Sequence, residues 1–218
     1  KYARAGAEVA LTFKVSEELK FNPTVKVNEQ LTTYNAQQLI SGETEYAYQY
    51  TVTKDDPNGN AVISISGFDL AGNEGTYETN ASTESFVVDL VTPEVAKEMN
   101  EDNTDLIANP NAFATNVDPN NANEHHLTNL YYRLSKPSWV TLSIHRIPKN
   151  QTQYVKADFH AGNKIITLVN NVWQIANQRL DVQWDGTLTN ESYALPGKYA
   201  FIVEARDRAG NMTEIKYG

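Results

Sequence analysis

Cysteine is absent from this chain of 218 residues. That one absence removes a disulfide framework, a thiolate metal site and a thiol nucleophile together. It accords with export to an oxidising exterior, and equally with many cytosolic proteins, so it selects no compartment. Long apolar runs are also missing. None approaches the ~20 residues that cross a bilayer as a helix, and no membrane insertion is expected. Positive charge is scarce: 18 Lys and Arg stand against 27 Asp and Glu, a formal charge of −9. Such a surface repels phosphate backbones, and no basic patch interrupts it, so nucleic acid is not an expected partner. Helical periodicity is nearly missing too. Only Pro93–Asn100 reads as a turn or two of helix, with Pro93 at its start.

What the sequence does contain is alternation. Val9, Leu11, Phe13 and Val15 alternate with Glu8, Thr12, Lys14 and Ser16. Tyr46, Tyr48, Tyr50 and Val52 repeat the pattern. So do Leu130, Tyr132 and Leu134, then Val140, Leu142 and Ile144, with Leu180, Val182 and Trp184 and finally Tyr199, Phe201, Val203 and Ala205. A period of two puts one face in a core and the other in water, the mark of half-buried antiparallel strands. Turn chemistry separates the runs, as in Asp55-Asp56-Pro57-Asn58-Gly59-Asn60 and Leu195-Pro196-Gly197-Lys198. Many short strands with frequent turns predict an all-β sandwich. The 23 asparagines and 20 threonines fit turns and solvent-facing strand positions. Hydrophobic content of 40% suffices for a core. At roughly 100–150 residues per domain, the length allows two small domains or one large one.

One internal repeat decides between them. Asp69-Leu70-Ala71-Gly72-Asn73 and Asp207-Arg208-Ala209-Gly210-Asn211 each follow an alternating run. Glycine supplies positive φ, asparagine tolerates left-handed geometry, and the aspartate can accept backbone N–H bonds, so each reads as a hairpin corner. Two corners imply two tandem antiparallel β-sandwiches.

Residues 5–17, Asn22-Pro23-Thr24-Val25, the Tyr46–Thr53 strand, the Asp69–Asn73 corner and the exit Phe86-Val87-Val88-Asp89-Leu90-Val91-Thr92-Pro93 resemble a bacterial Ig-like (Big) repeat over residues 1–93. Residues 109–218 resemble the flagellar-hook-capping (FlgD-type) Ig-like domain and the fibronectin-like modules of bacterial surface proteases. This second likeness rests on Tyr132-Arg133-Leu134-Ser135-Lys136-Pro137, Trp184-Asp185-Gly186-Thr187, Pro196-Gly197-Lys198-Tyr199 and the Asp207–Asn211 corner. Together these resemblances imply two tandem Ig-like (fibronectin-like) antiparallel β-sandwiches, with residues 94–108 read as a linker. The stretch 154–179 is longer than the family pattern needs, with Ile165–Val169 an extra strand and the region an insertion.

Chemistry is sparse. No nucleophile elbow, zinc-helix motif or phosphate-binding glycine loop occurs. His125 and His126 are adjacent, so on an extended chain they point to opposite sides and read as a surface loop rather than a metal pair. His145 takes the polar face of its strand, where solvent is its expected environment. The run Asp55–Asn60 has a superficial likeness to a calcium loop, but its glycine is misplaced and the distal glutamate is missing. Asp69, Asp89, Asp185 and Asp207 lie in loops or at strand ends. They are candidates for calcium at a module junction, with turn hydrogen bonding the plainer reading. Trp184 and the tyrosine stripe read as core, whereas Trp139 and Trp173 are candidate ligand contacts.

These observations predict no enzyme and no catalytic or cofactor-binding residue. The resemblance implies non-catalytic spacer, stalk or adhesion modules of a larger secreted or cell-surface bacterial protein, of which this chain is expected to be a piece. The expected state is a monomer whose partners are other domains of the same protein, a host protein or a polysaccharide. Two alternatives stay open: an accessory region of an extracellular hydrolase such as a subtilisin-like surface protease, and a carbohydrate-binding module.

Overall fold

A computed structural model describes residues 1–34, 44–79, 85–96, 107–109, 111–114, 127–151, 163–213 and 216–217. Among these residues every regular element is a strand. The chain divides into two compact units, Lys1–Val91 and Thr92–Gly218.

In the first unit, β2 (Glu8–Lys14), β5 (Thr33–Tyr34) and β6 (Glu45–Thr51) form a sheet in the order β2-β6-β5. A second sheet runs β4-β3-β8-β9, from β3 (Thr24–Val27), β4 (Gln30–Leu31), β8 (Ile63–Phe68) and β9 (Glu74–Glu78). A small third sheet joins β1 (Tyr2–Ala3) in parallel to β10 (Val87–Val88), which also pairs β7 (Gly59–Asn60). The predicted faces meet in one core, where Tyr46, Tyr48 and Tyr50 pack with Val25, Val27 and Ile63 from the opposing sheet. In the β2–β6 ladder Phe13 faces Tyr46, Leu11 faces Tyr48 and Val9 faces Tyr50. Phe13 stacks on both Tyr46 and Tyr48, at centroid distances of 5.7 and 6.0 Å.

The second unit sets β13 (Thr128–Leu134) between β16 (Arg179–Trp184) on one edge and β11 (Val95–Ala96) with β12 (Ile107–Asn109) on the other. Its other sheet runs β15-β14-β17-β18, from β14 (Ser138–Arg146), β15 (Lys164–Gln174), β17 (Tyr199–Arg206) and β18 (Lys216–Tyr217). These two four-stranded sheets pack as a fibronectin-like sandwich. Leu130, Tyr132, Leu134 and Trp184 from one sheet meet Val140, Leu142, Ile144, Phe201 and Val203 from the other. With no disulfide, burial of such side chains, each contributing about 1.5–3 kcal/mol, is what joins the sheets. Trp184 meets Phe113 and Tyr199 edge-on, at 5.5 and 5.4 Å. The Tyr199 hydroxyl donates to the Leu195 carbonyl four residues upstream, the tyrosine corner that pins the entry to this strand in many such sandwiches.

Three expectations change. Within the stretch read as a linker, residues 95–96 and 107–109 are strands of the second unit. Val95 is buried in that unit's core and Ala108 packs on it. The helical reading fails at Val95–Ala96, where Val95 pairs with Leu134 and Ala96 with Arg133. A β-branched residue suits that pleated position, and the Glu94 amide is held by Ser135 Oγ at 2.8 Å. Ile165–Val169 is indeed strand. It belongs, however, to the 11-residue β15, which pairs with the central β14 along almost its whole length, so it builds the sandwich instead of adding to it.

Candidate functional site

The two repeated corners fold alike. In the first, the Asn73 amide donates to Asp69 Oδ1 at 2.8 Å and its side-chain amide to Oδ2 at 2.7 Å. In the second, Asn211 makes the same two bonds to Asp207 at 2.9 and 3.0 Å. Each corner is closed by the Asp N–H donating to the Asn carbonyl and by the glycine N–H donating to the Asp carbonyl. Gly72 and Gly210 sit at φ +92° and +89°, which side chains rarely adopt.

Their surroundings differ. Asn73 is exposed, whereas Asp207 and Asn211 are buried, at 3% and 7% exposure. Lys136 Nζ stands 2.8 Å from Asp207 Oδ2. Hydrogen bonds from Asn73 hold the Asp69 carboxyl below its ordinary pKa. Burial pushes Asp207 up, but Lys136 and Asn211 outweigh it and leave that group low as well.

The other two candidate calcium ligands also accept turn bonds. Asp185 Oδ1 takes the Thr187 amide at 2.9 Å, and Asp89 Oδ1 takes the Val91 amide at 3.3 Å. Among the described residues, no three His, Asp or Glu side chains converge as a metal would require. His125 and His126 lie outside the described residues.

Asp56, inside the run with a superficial likeness to a calcium loop, has a different task. It is 4% exposed and accepts bonds from the Tyr50 hydroxyl at 2.6 Å, the Thr53 amide at 2.6 Å and Thr53 Oγ1 at 3.1 Å. Burial and this carboxylate push Tyr50 well above the usual tyrosine range, while the donors bring Asp56 down against its own burial. Sequence reasoning missed this lock. Its signal was a core-register tyrosine six residues before an aspartate in a turn.

His145 is a correction. Its strand position is the one expected to meet water, yet it is 2% exposed. On that face β14 and β17 present Ser143, Ala200 and Ile202, all nearly buried, with Ile147 packed on the last two. Ser143 Oγ and His145 Nε2 share a hydrogen bond at 3.0 Å. Burial, then the charge of Lys164, push the imidazole down to about 4.

The two tryptophans named as contacts do come together. Trp139 on β14 lies directly across from Trp173 on β15, with ring centroids 4.5 Å apart at an interplanar angle of 63°. Arg206, across from Trp139 on β17, lies over the Trp139 ring with Cζ 5.6 Å from its centroid. Arg208 lies over Trp173 at 5.0 Å. The row Arg206–Trp139–Trp173–Arg208 runs across the face of the four-stranded sheet opposite its core, both arginines exposed and both indoles half-buried.

No family model matches the sequence, and no curated protein matches it. Solved structures do. A Ca2+-stabilized adhesin that helps an Antarctic bacterium reach out and bind ice aligns over 100% of this chain at 14% identity and TM-score 0.47. A 1.5-MDa bacterial ice-binding adhesin aligns over 100% at 18% identity and TM-score 0.39. The fibronectin(III)-like modules of Clostridium thermocellum CbhA align over 100% at 11% identity and TM-score 0.37. The chain spans 44% and 59% of the two adhesin chains and 86% of the third. At these identities the likeness concerns the fold. No helix among the described residues is long and apolar enough to cross a membrane.

Proposed function

We infer that this chain supplies two non-catalytic β-sandwich modules to a larger bacterial surface or secreted protein, as spacer, stalk or adhesion elements. The observation that carries this reading is the repeated corner. The same four hydrogen bonds, three between Asp and Asn and one from the glycine amide, close the corner in both units. The most distinctive acidic groups of the chain are thereby committed to holding turns in two similar sandwiches, which is what a serial spacer requires of its parts. Polar groups used in this way rigidify a fold instead of waiting for a substrate.

The test is mechanical. Pulled between marker domains in single-molecule force spectroscopy, the chain is expected to give two discrete unfolding events, one for each sandwich, with refolding on relaxation. Featureless extension at low force would remove the spacer reading.

A further inference from the structure

The Arg206–Trp139–Trp173–Arg208 row has a use beyond a spacer's, and we propose that it is a docking face for an acidic polysaccharide, one whose sugar rings carry carboxylates. Each indole is edged by its neighbour and covered by a guanidinium, so the two arginines are held by cation–π contact and do not sweep freely through water. That lowers the ordering cost of using them, and a planar guanidinium offers a fork matched to a carboxylate.

Charge complementarity identifies the occupant. Acidic residues outnumber basic ones by 27 to 18, yet neither Arg206 nor Arg208 has a carboxylate within ion-pair distance among the described residues. Neighbouring acids do not fill the gap. Asp207, between the two arginines in sequence, is bound to Lys136, and Glu204 shares the face of Arg206 one pair further along, opposite Thr141. Ile175, 55% exposed, follows the end of β15 just beyond Trp173. Indole rims and an exposed aliphatic side chain suit the C–H faces of pyranose rings, and the two forks suit their carboxylates. A neutral glycan would leave both cations unanswered, and an acidic peptide would leave the aromatic surface unused.

The experiment measures binding of the whole chain to oligogalacturonate by calorimetry, beside a neutral cello-oligosaccharide and poly-glutamate. Oligogalacturonate is expected to bind, weakening as salt rises, while the other two bind at least tenfold more weakly. Arg206→Gln with Arg208→Gln should weaken oligogalacturonate binding at least tenfold without moving the melting temperature of the spacer fold. Arg206→Lys with Arg208→Lys keeps the charge and loses the fork, and should weaken it several-fold. Absence of oligogalacturonate binding overturns the assignment, as does undiminished binding by the folded variants. Equal affinity for poly-glutamate would show a face reading charge alone and would overturn it too. Two clean unfolding events under force alongside absent binding would leave the spacer role standing while this one fell.

Discussion

The ammonium of Lys136 stands 2.8 Å from a carboxylate oxygen of Asp207, whose side chain is 2% exposed while that of the lysine is 21% exposed. Lys136 lies in the short connection into β14, and Asp207 follows the end of β17. The pair therefore ties the corner to the neighbouring strand of its own sheet. In the first unit no Lys or Arg among the described residues pairs with Asp69, and that corner is more open to water. Lys136→Met should therefore cost about 3 kcal/mol, the low end for a broken buried pair, because the lysine is not wholly desolvated. Asp69→Ala in the open corner should cost measurably less than Asp207→Ala. Urea unfolding of the three variants checks both statements, and equal costs at the two corners would show that burial does not set the difference.

Acid should weaken the second unit in two windows. His145 is held neutral in the fold, with its pKa brought from 6.5 to about 4 by burial and Lys164. The unfolded chain takes up that proton first, so this stability is fully present above about pH 6.5 and is lost as pH falls toward 4. A shift of that size corresponds to about 3 kcal/mol. Asp207 has the opposite charge but also a lowered pKa. Its contribution is present above the ordinary carboxylate range and is lost as pH falls below about 4. His145→Gln should flatten the upper window and leave the lower one. Denaturation midpoints at half-unit pH steps would show this, and an unchanged slope between pH 6.5 and 4 would rule His145 out as its source.

Glycine at the corners should matter through φ alone. A Cβ built on Gly72 meets nothing within 4 Å, yet the residue sits at φ +92°. Gly72→Ala should thus cost about 1–2 kcal/mol from backbone strain, with no steric clash added. Gly75 in β9 has equally open space and no such φ, so Gly75→Ala should be near neutral or slightly stabilising. The pair of melting curves separates backbone strain from lost space.

The strands were legible because a half-buried sheet writes its core face every second residue, as Leu130, Tyr132 and Leu134 do. His145 was misread for the same reason. The rule assigns the alternate face to water, and here that face is covered. The sign of it was already present in β17, where Ala200, Phe201, Ile202 and Val203 run apolar on both faces, as a doubly covered strand does. Val95–Ala96 and Ile107–Asn109 escaped because two or three residues are too few to show a period. Trp139 and Trp173 stood out only as candidate contacts, with the face they occupy left open. Their union with Arg206 and Arg208 was not legible, since the indoles are far apart in sequence and only the β14–β15 and β14–β17 registers, with the corner after β17, bring the four together.

The hydroxyl of Tyr50 offers the sharpest single-atom test of the first unit. It meets buried Asp56 at 2.6 Å, while the Thr53 amide and hydroxyl hold the other carboxylate oxygen. Tyr50→Phe keeps the ring in the core and deletes only the donor, so one oxygen of a buried carboxylate loses its closest partner. The loss should be about 1–3 kcal/mol, the cost of leaving a buried polar group short of a hydrogen bond. Asp56→Asn retains an acceptor for the hydroxyl at reduced charge and should cost less than Asp56→Ala, which strands the Thr53 amide and leaves the Tyr50 hydroxyl only Gln30 Oε1 at 3.2 Å. A double-mutant cycle between Tyr50→Phe and Asp56→Ala isolates the bond itself. Strict additivity there would mean the two groups stabilise the sandwich independently, and the turn from β6 into the Asp55–Asn60 loop would need another anchor.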